Sequence, residues 1–239
     1  MTRALNRVFD WGLLLLLLTG LLYCGYALWD TRDLYAREAY AREKTQVFKP
    51  SEGDEENLSL SEAVALNADV CGWLVIENTR IDYLLVQGND NQFYLNYDPL
   101  RNFSIAGSIF LDHRCKRDFS GFHSILYGHH MSNGSMFSDL EKFGDEAFFN
   151  ANERGWLHLP GATHRLQILA YLTVDAYDSP VFNPFIESPE ERQAFLGYLR
   201  ENARHLRDTG LDLDAKLLTL STCSSDFTNA RSVLIARIL

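Results

Sequence analysis

Three separated pieces of the chain carry side chains suited to acyl transfer. Tyr127-Gly128-His129-His130-Met131 closes one strand-like run and Thr219-Leu220-Ser221-Thr222-Cys223 closes another. Arg231 stands eight residues beyond the cysteine. A cysteine thiol is the strongest unaided nucleophile among side chains. Histidine exchanges protons near neutral pH without tuning. Arginine stays protonated and offers five donors in a fixed fork. It can hold a carbonyl oxygen while negative charge builds there, and one such donor is worth about 2.7–4 kcal/mol in acyl transfer. His129 and Cys223 form a natural acyl-transfer couple if the fold joins them, with Arg231 as oxyanion donor. Each also has a bland alternative. Most free cysteines are buried packing residues, and a lone Arg231 reads as an edge-strand cation. Cys71 and Cys115 have nothing reactive around them and keep the packing role. The paired histidines suggest a metal, but zinc needs three or four ligands at recognisable spacing. The available partners, His113, Cys115 and Cys223, lie far apart in the chain, so no metal site is expected.

The elements around these residues decide whether they can meet. Cys223 follows the strand-like run 216–222 and precedes the loop residues Ser224-Ser225-Asp226, which places it at a rim. The connection 224–230 suits a hairpin and would bring Arg231 beside it. Arg237 has the same strand parity but lies six residues further on, about 20 Å along an extended chain. Other strands are expected at 73–76 and 81–86, joined by a turn around Asn78, and at 107–112, 123–130, 155–159, 164–175 and 232–239. A helix over 135–143 would place Met136, Phe137, Leu140 and Phe143 on one face. A second, over 188–207, opens with the capping box Ser188-Pro189-Glu190-Glu191 and carries the stripe Phe195, Leu199, Ala203, Leu206. The chain reads as a mainly β fold, a closed or nearly closed antiparallel structure with peripheral helices.

The N-terminal quarter has a different character. Residues 11–29, WGLLLLLLTGLLYCGYALW, contain no charge. At 1.5 Å per residue they span about 28 Å, close to the ~30 Å hydrocarbon core of a bilayer. Trp11 at one end, and Tyr26 and Trp29 at the other, suit the two interfaces. A secretory signal has a shorter apolar region and a small-residue cleavage site, so the segment reads as an uncleaved single-pass anchor that also carries Cys24. Arg3 and Arg7 flank one side and Arg32 and Arg37 the other, so charge does not choose the orientation; an external domain is assumed. The expected layout is a cytoplasmic tail at 1–10, the anchor at 11–29, a helical stalk and acidic linker at 30–57, and a folded domain at 58–239. Glu38 and Arg42 form a supportive i, i+4 pair in the stalk, and Pro50 ends it. Lys plus Arg number 22 against 32 Asp plus Glu, a net charge of −10, which disfavours a nucleic-acid binder. Four cysteines are too few for a disulfide scaffold of this length.

Together these motifs resemble the signatures of sortases. The resemblance rests on YGHHMSNGSMFSDL (127–140), TLSTC (219–223) and the following Arg231. GSIFLDHR (107–114) and NQFYLNYD (91–98) are similar to class B sortases in particular. The match runs from about Val70 to Leu239. It implies an eight-stranded sortase β-barrel with N-terminal helices and a prominent helix between the sixth and seventh strands. It implies a membrane-bound cysteine transpeptidase on the outside of a Gram-positive bacterium, working without cofactor or metal. Carried over by motif, Cys223 is the nucleophile, His129 the general acid/base and Arg231 the carbonyl and oxyanion ligand, with His130 structural. Asn91, Tyr127 and Ser221 match positions lining the substrate groove. The implied substrates are surface proteins or pilins with a C-terminal sorting signal, cleaved after Thr. The implied acceptor is a peptidoglycan or lysine amine. Two other readings compete: an anchored cysteine endopeptidase that only hydrolyses, and a non-catalytic surface binding domain. The order His then Cys disfavours a papain-like enzyme.

Overall fold

The computed structural model describes residues 2–51, 57–177, 180–207, 209, 211–223 and 229–239. Residues 52–56 of the expected acidic linker lie outside that set. The strands are β1 (Val70–Ile76), β2 (Asp82–Val86), β3 (Ile109–Leu111), β4 (His123–Tyr127), β5 (Arg154–Leu159), β6 (Ala162–Asp175), β7 (His205–Leu206), β8 (Lys216–Cys223) and β9 (Ala230–Ile238). They pair in the order β5-β1-β2-β3-β4-β8-β9-β6, and β5 pairs again with β6. The sheet thus closes into an eight-stranded barrel, with the two-residue β7 added to β6 outside the closure.

The barrel is not purely antiparallel. β2–β3 and β4–β8 run parallel. A parallel pair needs a long crossover, and residues 87–108 and 128–215 supply them. Hydrophobic alternation reports which face a residue takes, not the direction of the neighbouring strand, so this was invisible in the pattern.

Alternation along the strands divides the core. From β9, Leu234, Ala236 and Ile238 point into the barrel with Leu218 and Leu220 of β8. Val233 and Ile235 point outward with Leu217. The outward set is covered by helix α4 (Pro189–Asn202), through Phe195, Leu196 and Leu199. On the far side Trp73, Leu84 and Val86 are covered by helix α2 (Leu58–Leu66), through Leu60 and Ala63. Strands buried on both faces explain the continuous apolar runs in the sequence.

Two helix expectations change. The capping box of α4 is present in both halves, with Glu191 N donating to Ser188 Oγ at 3.1 Å and Ser188 N donating to the Glu191 carboxylate at 3.0 Å. The helix, however, ends at Asn202 and not at 207. Ala203 turns extended so that His205 and Leu206 can pair with Tyr171 and Ala170 of β6. A sheet edge needing partners outcompetes one more helical turn. The expected helix at 135–143 is a 3-10 stretch, Ser138–Gly144, followed by the separate α3 (Glu146–Ala151) capped by Asp145. Met136, Phe137, Leu140 and Phe143 are buried as their spacing implies. Met136 sits at a left-handed φ of 57°, and the Ser138 hydroxyl bonds the Ser135 carbonyl, so no helix can begin before Ser138.

Before the barrel, α1 (Thr2–Thr45) is one continuous helix, about 66 Å long at 1.5 Å per residue. It is long and apolar enough to cross a membrane, with the residues of its apolar window unburied. Its C-terminal end is not a free stalk. Glu38, Ala41 and Thr45 are buried against the barrel, and Lys49 just beyond it pairs with Asp82 of β2 at 2.6 Å.

Candidate active site

Strand register gathers the separated motifs. Parallel pairing sets Tyr127, the last residue of β4, beside Ser221 of β8, and Gly128 N donates to the Ser221 carbonyl at 3.2 Å. The chain leaving β4 toward His129 therefore runs beside the end of β8 that terminates in Cys223. The antiparallel β8–β9 ladder sets Cys223 directly opposite Arg231. Arg237 lies opposite Leu217, far along the ladder, where it pairs with Asp212 at 3.1 Å. Residues 224–228 of the connecting loop lie outside the described residues.

A groove of about 500 Å³ opens over this end of the barrel. His129, Arg231, Asn91, Tyr127 and Ser221 all line it, together with Arg114 and Phe182. The His129 ring is half-buried, and its Nε2 lies 2.8 Å from the Leu95 carbonyl. A carbonyl only accepts, so Nε2 carries the hydrogen and Nδ1 is the acceptor atom of the neutral ring. Leu95 ends a 3-10 turn, Phe93–Leu95, that packs against Gly107. His130 is exposed and lies 3.3 Å from Glu141. The two histidines engage different partners.

Beneath the groove wall lies a buried ion pair. The Asp112 side chain is fully buried and takes the Arg114 fork at 2.9 and 2.7 Å, plus the Arg114 N–H at 2.9 Å and the Tyr127 hydroxyl at 3.1 Å. Burial alone would raise its pKa; the Arg114 bonds and charge outweigh that and hold the carboxyl below its usual value. Burial, with Asp112 beside it, pushes the Tyr127 phenol up. Arg114 also donates to the Phe182 carbonyl at 3.2 Å, tying the β6–α4 segment to the wall. Inside this corner His123 bridges the Asn183 carbonyl at 2.8 Å and the Thr219 hydroxyl at 2.7 Å. Burial lowers its pKa to about 4, so it stays neutral. The thiols of Cys71 and Cys115 are pushed by burial to about 12, as suits packing residues.

Comparison with known proteins decides the family. A sortase-domain model matches residues 74–238. The chain belongs to the sortase family. Sortase B of Listeria monocytogenes is 31% identical over 180 residues, covering 73% of this chain and 71% of the relative. The crystal structure of Clostridium perfringens sortase B superposes with a TM-score of 0.71 at 31% identity, covering 75% of this chain and 98% of that one. Sortase B from the type II pilus of Streptococcus pneumoniae is 39% identical with a TM-score of 0.65, covering 74% and 97%. This sortase is of class B, a cysteine transpeptidase built on the sortase β-barrel.

The sequence reading of this sortase missed the Asp112–Arg114 pair and His123. The signal for the first was present: an acid ending an apolar run, followed two residues later by arginine in GSIFLDHR. For His123 there was none, since a histidine opening a strand looks the same whether buried or exposed.

Proposed function

We propose that this chain is a membrane-anchored sortase whose Cys223 attacks a substrate carbonyl. The observation that carries the reading is the ladder register setting Cys223 opposite Arg231, with His129 on the same groove. In the first step the Cys223 sulfur attacks the Thr carbonyl of a C-terminal sorting motif. As the sulfur attacks, its thiol proton passes to His129 Nδ1. The Arg231 guanidinium donates hydrogen bonds to the oxyanion, and His129 then gives that proton to the departing amine. The C–N bond breaks and a thioester forms on Cys223. In the second step an incoming amine, from peptidoglycan or from a pilin lysine, attacks the thioester. Its proton passes to His129 as the thiolate leaves. Asn91, Tyr127 and Ser221 line the path of the substrate backbone.

The layout follows from the same reading: residues 1–10 in the cytoplasm, 11–29 across the membrane, and the barrel of 58–239 outside. Trp29 to Glu38, the first deeply buried residue of α1, is nine residues, so the barrel sits about 13 Å from the interface. That height suits a substrate still held in the membrane by its own C-terminal segment.

The test uses the full-length protein in detergent micelles and a peptide pool carrying Asn-Pro-x-Thr-Asn and Pro-x-Thr-Gly motifs, with and without triglycine, read by mass spectrometry. Cleavage after Thr and an amine-dependent ligated product, both lost in Cys223→Ala, are expected. Cleavage that stays hydrolytic with every amine supplied would move the assignment to an endopeptidase. Product formation unchanged in Cys223→Ala would overturn it.

A further inference from the structure

The loop that begins at His129 has two sides, and only one belongs to the groove. The loop is tightly closed: Phe137 N donates to the His129 carbonyl at 3.0 Å, and His130 and Met136 form a β-bridge. Gly134 and Met136 occupy left-handed φ values of 79° and 57°, so the backbone has little freedom to relax. The returning arm of this loop is held by residues that in turn hold α1.

The connections are specific. Met136 N donates to the Tyr83 hydroxyl at 2.8 Å. The Tyr83 ring lies 4.9 Å from the Arg42 guanidinium of α1. Arg42 Nη2 donates to the Arg80 carbonyl at 3.0 Å, and Arg80 Nη1 donates to the Asn133 carbonyl at the loop tip at 2.8 Å. One turn earlier on α1, Glu38 is buried beside Ser135. Burial raises its pKa against the nearby Arg42 charge, its Oε1 has no hydrogen-bond partner among the described residues, and the neighbouring Ser135 hydroxyl donates to Asn133 Oδ1 at 2.8 Å. About 20 Å³ of space remains between α1 and the barrel here, room for one water, so this is a packed contact and not a ligand cavity.

We infer that the end of the membrane helix is part of the apparatus that sets the acid–base group: Glu38 and Arg42 are positioning residues acting on His129 through Tyr83 and the 129–137 loop. This rests on the reading of His129 as the general acid/base. Proton transfer requires heavy atoms about 2.6–3.2 Å apart, and a displacement of about 1 Å can cost on the order of a hundred-fold in rate. His129 is fixed at its ring by Leu95 and at its backbone by this loop. Loosening the α1 side frees the second of these restraints. The i, i+4 pair that reads in sequence as mere helix support is, in the fold, the clasp between anchor and catalytic loop.

The test compares wild type, Glu38→Ala, Glu38→Gln, Arg42→Ala and the exposed-face control Glu43→Ala, all as full-length proteins in lipid nanodiscs. Two readouts are taken: kcat and KM for ligation, and the ring resonances of 15N-labelled histidine. Glu38→Ala and Arg42→Ala are expected to lower kcat by about ten- to a hundred-fold with KM nearly unchanged. They are expected to move the His129 resonances while the remote His164 stays in place. Glu38→Gln, which keeps the shape of the buried side chain, restores both, and Glu43→Ala changes neither. Should Glu38→Ala unfold, Arg42→Ala carries the same comparison from a half-exposed position. Unmoved His129 resonances in folded variants overturn the inference whether or not the enzyme turns over. Loss of turnover in wild type with the resonances still coupled overturns the sortase mechanism instead.

Discussion

Replacing Asp112 by asparagine tests the groove wall. The substitution keeps the shape and removes one charge from a side chain with no solvent exposure. It weakens two charge-assisted bonds to Arg114, each worth about 1.5–3 kcal/mol, and breaking one half of a buried pair costs about 3–5 kcal/mol. The Arg114 side chain is 35% exposed, so water takes up part of the stranded charge. The lower end applies, about 3 kcal/mol. For a domain of this size that lowers Tm by about 6–12 °C. The pH dependence has a definite sign. The carboxyl of Asp112 is held below its usual value in the fold. Its stabilisation is therefore present above the ordinary carboxylate pKa of about 4 and fades as pH falls through the folded value. The deficit of Asp112→Asn is largest at pH 7 and shrinks on acidification. Thermal unfolding of full-length protein in detergent at pH 7, 5 and 3 measures this. The double change Asp112→Leu with Arg114→Met, which strands no charge, should recover most of the loss. A Tm loss below about 2 °C at pH 7, or a deficit that grows in acid, would refute the reasoning.

Two further outcomes follow from local geometry. Gly107 has φ 61°, and a Cβ there would lie 2.6 Å from the carbonyl oxygens of both Leu95 and Tyr94. Gly107→Ala should cost about 1–3 kcal/mol in unfolding measurements and, by displacing the carbonyl that holds His129, lower ligation rates more than loss of folded protein explains. Ser188→Ala removes the α4 cap and should cost about 1 kcal/mol, visible as a small fall in Tm with ligation rate unchanged, because α4 sits outside the barrel.

The sequence by itself determined much about this sortase. Apolar strand-like runs placed eight strands to within a few residues, because a strand buried on both faces has a composition few loops share. The uncharged run at 11–29 marked a helix long and apolar enough to cross a membrane, because length and hydropathy alone settle that capacity. The Ser188–Glu191 box marked the start of α4, since capping is a contact between residues three apart. The motifs around His129, Cys223 and Arg231 were readable as types of chemistry.

Only tertiary structure decided what is non-local. The direction of β3 against β2 and of β8 against β4 depends on crossovers, which leave no periodic trace. The early end of α4 was decided by β6, which offers His205 and Leu206 a ladder that local propensity cannot see. Asp112 and Arg114 are ordinary surface-type residues until closure of the barrel removes water from the acid and leaves the arginine as its partner. The Glu38–Arg42 pair looked like helix support because i, i+4 spacing is all a sequence shows. Burial of Glu38 beside the loop carrying His129 exists only once a helix from the N-terminus meets a loop some ninety residues away. Side-chain chemistry is written in the residue, but burial and partner choice are properties of the assembled chain.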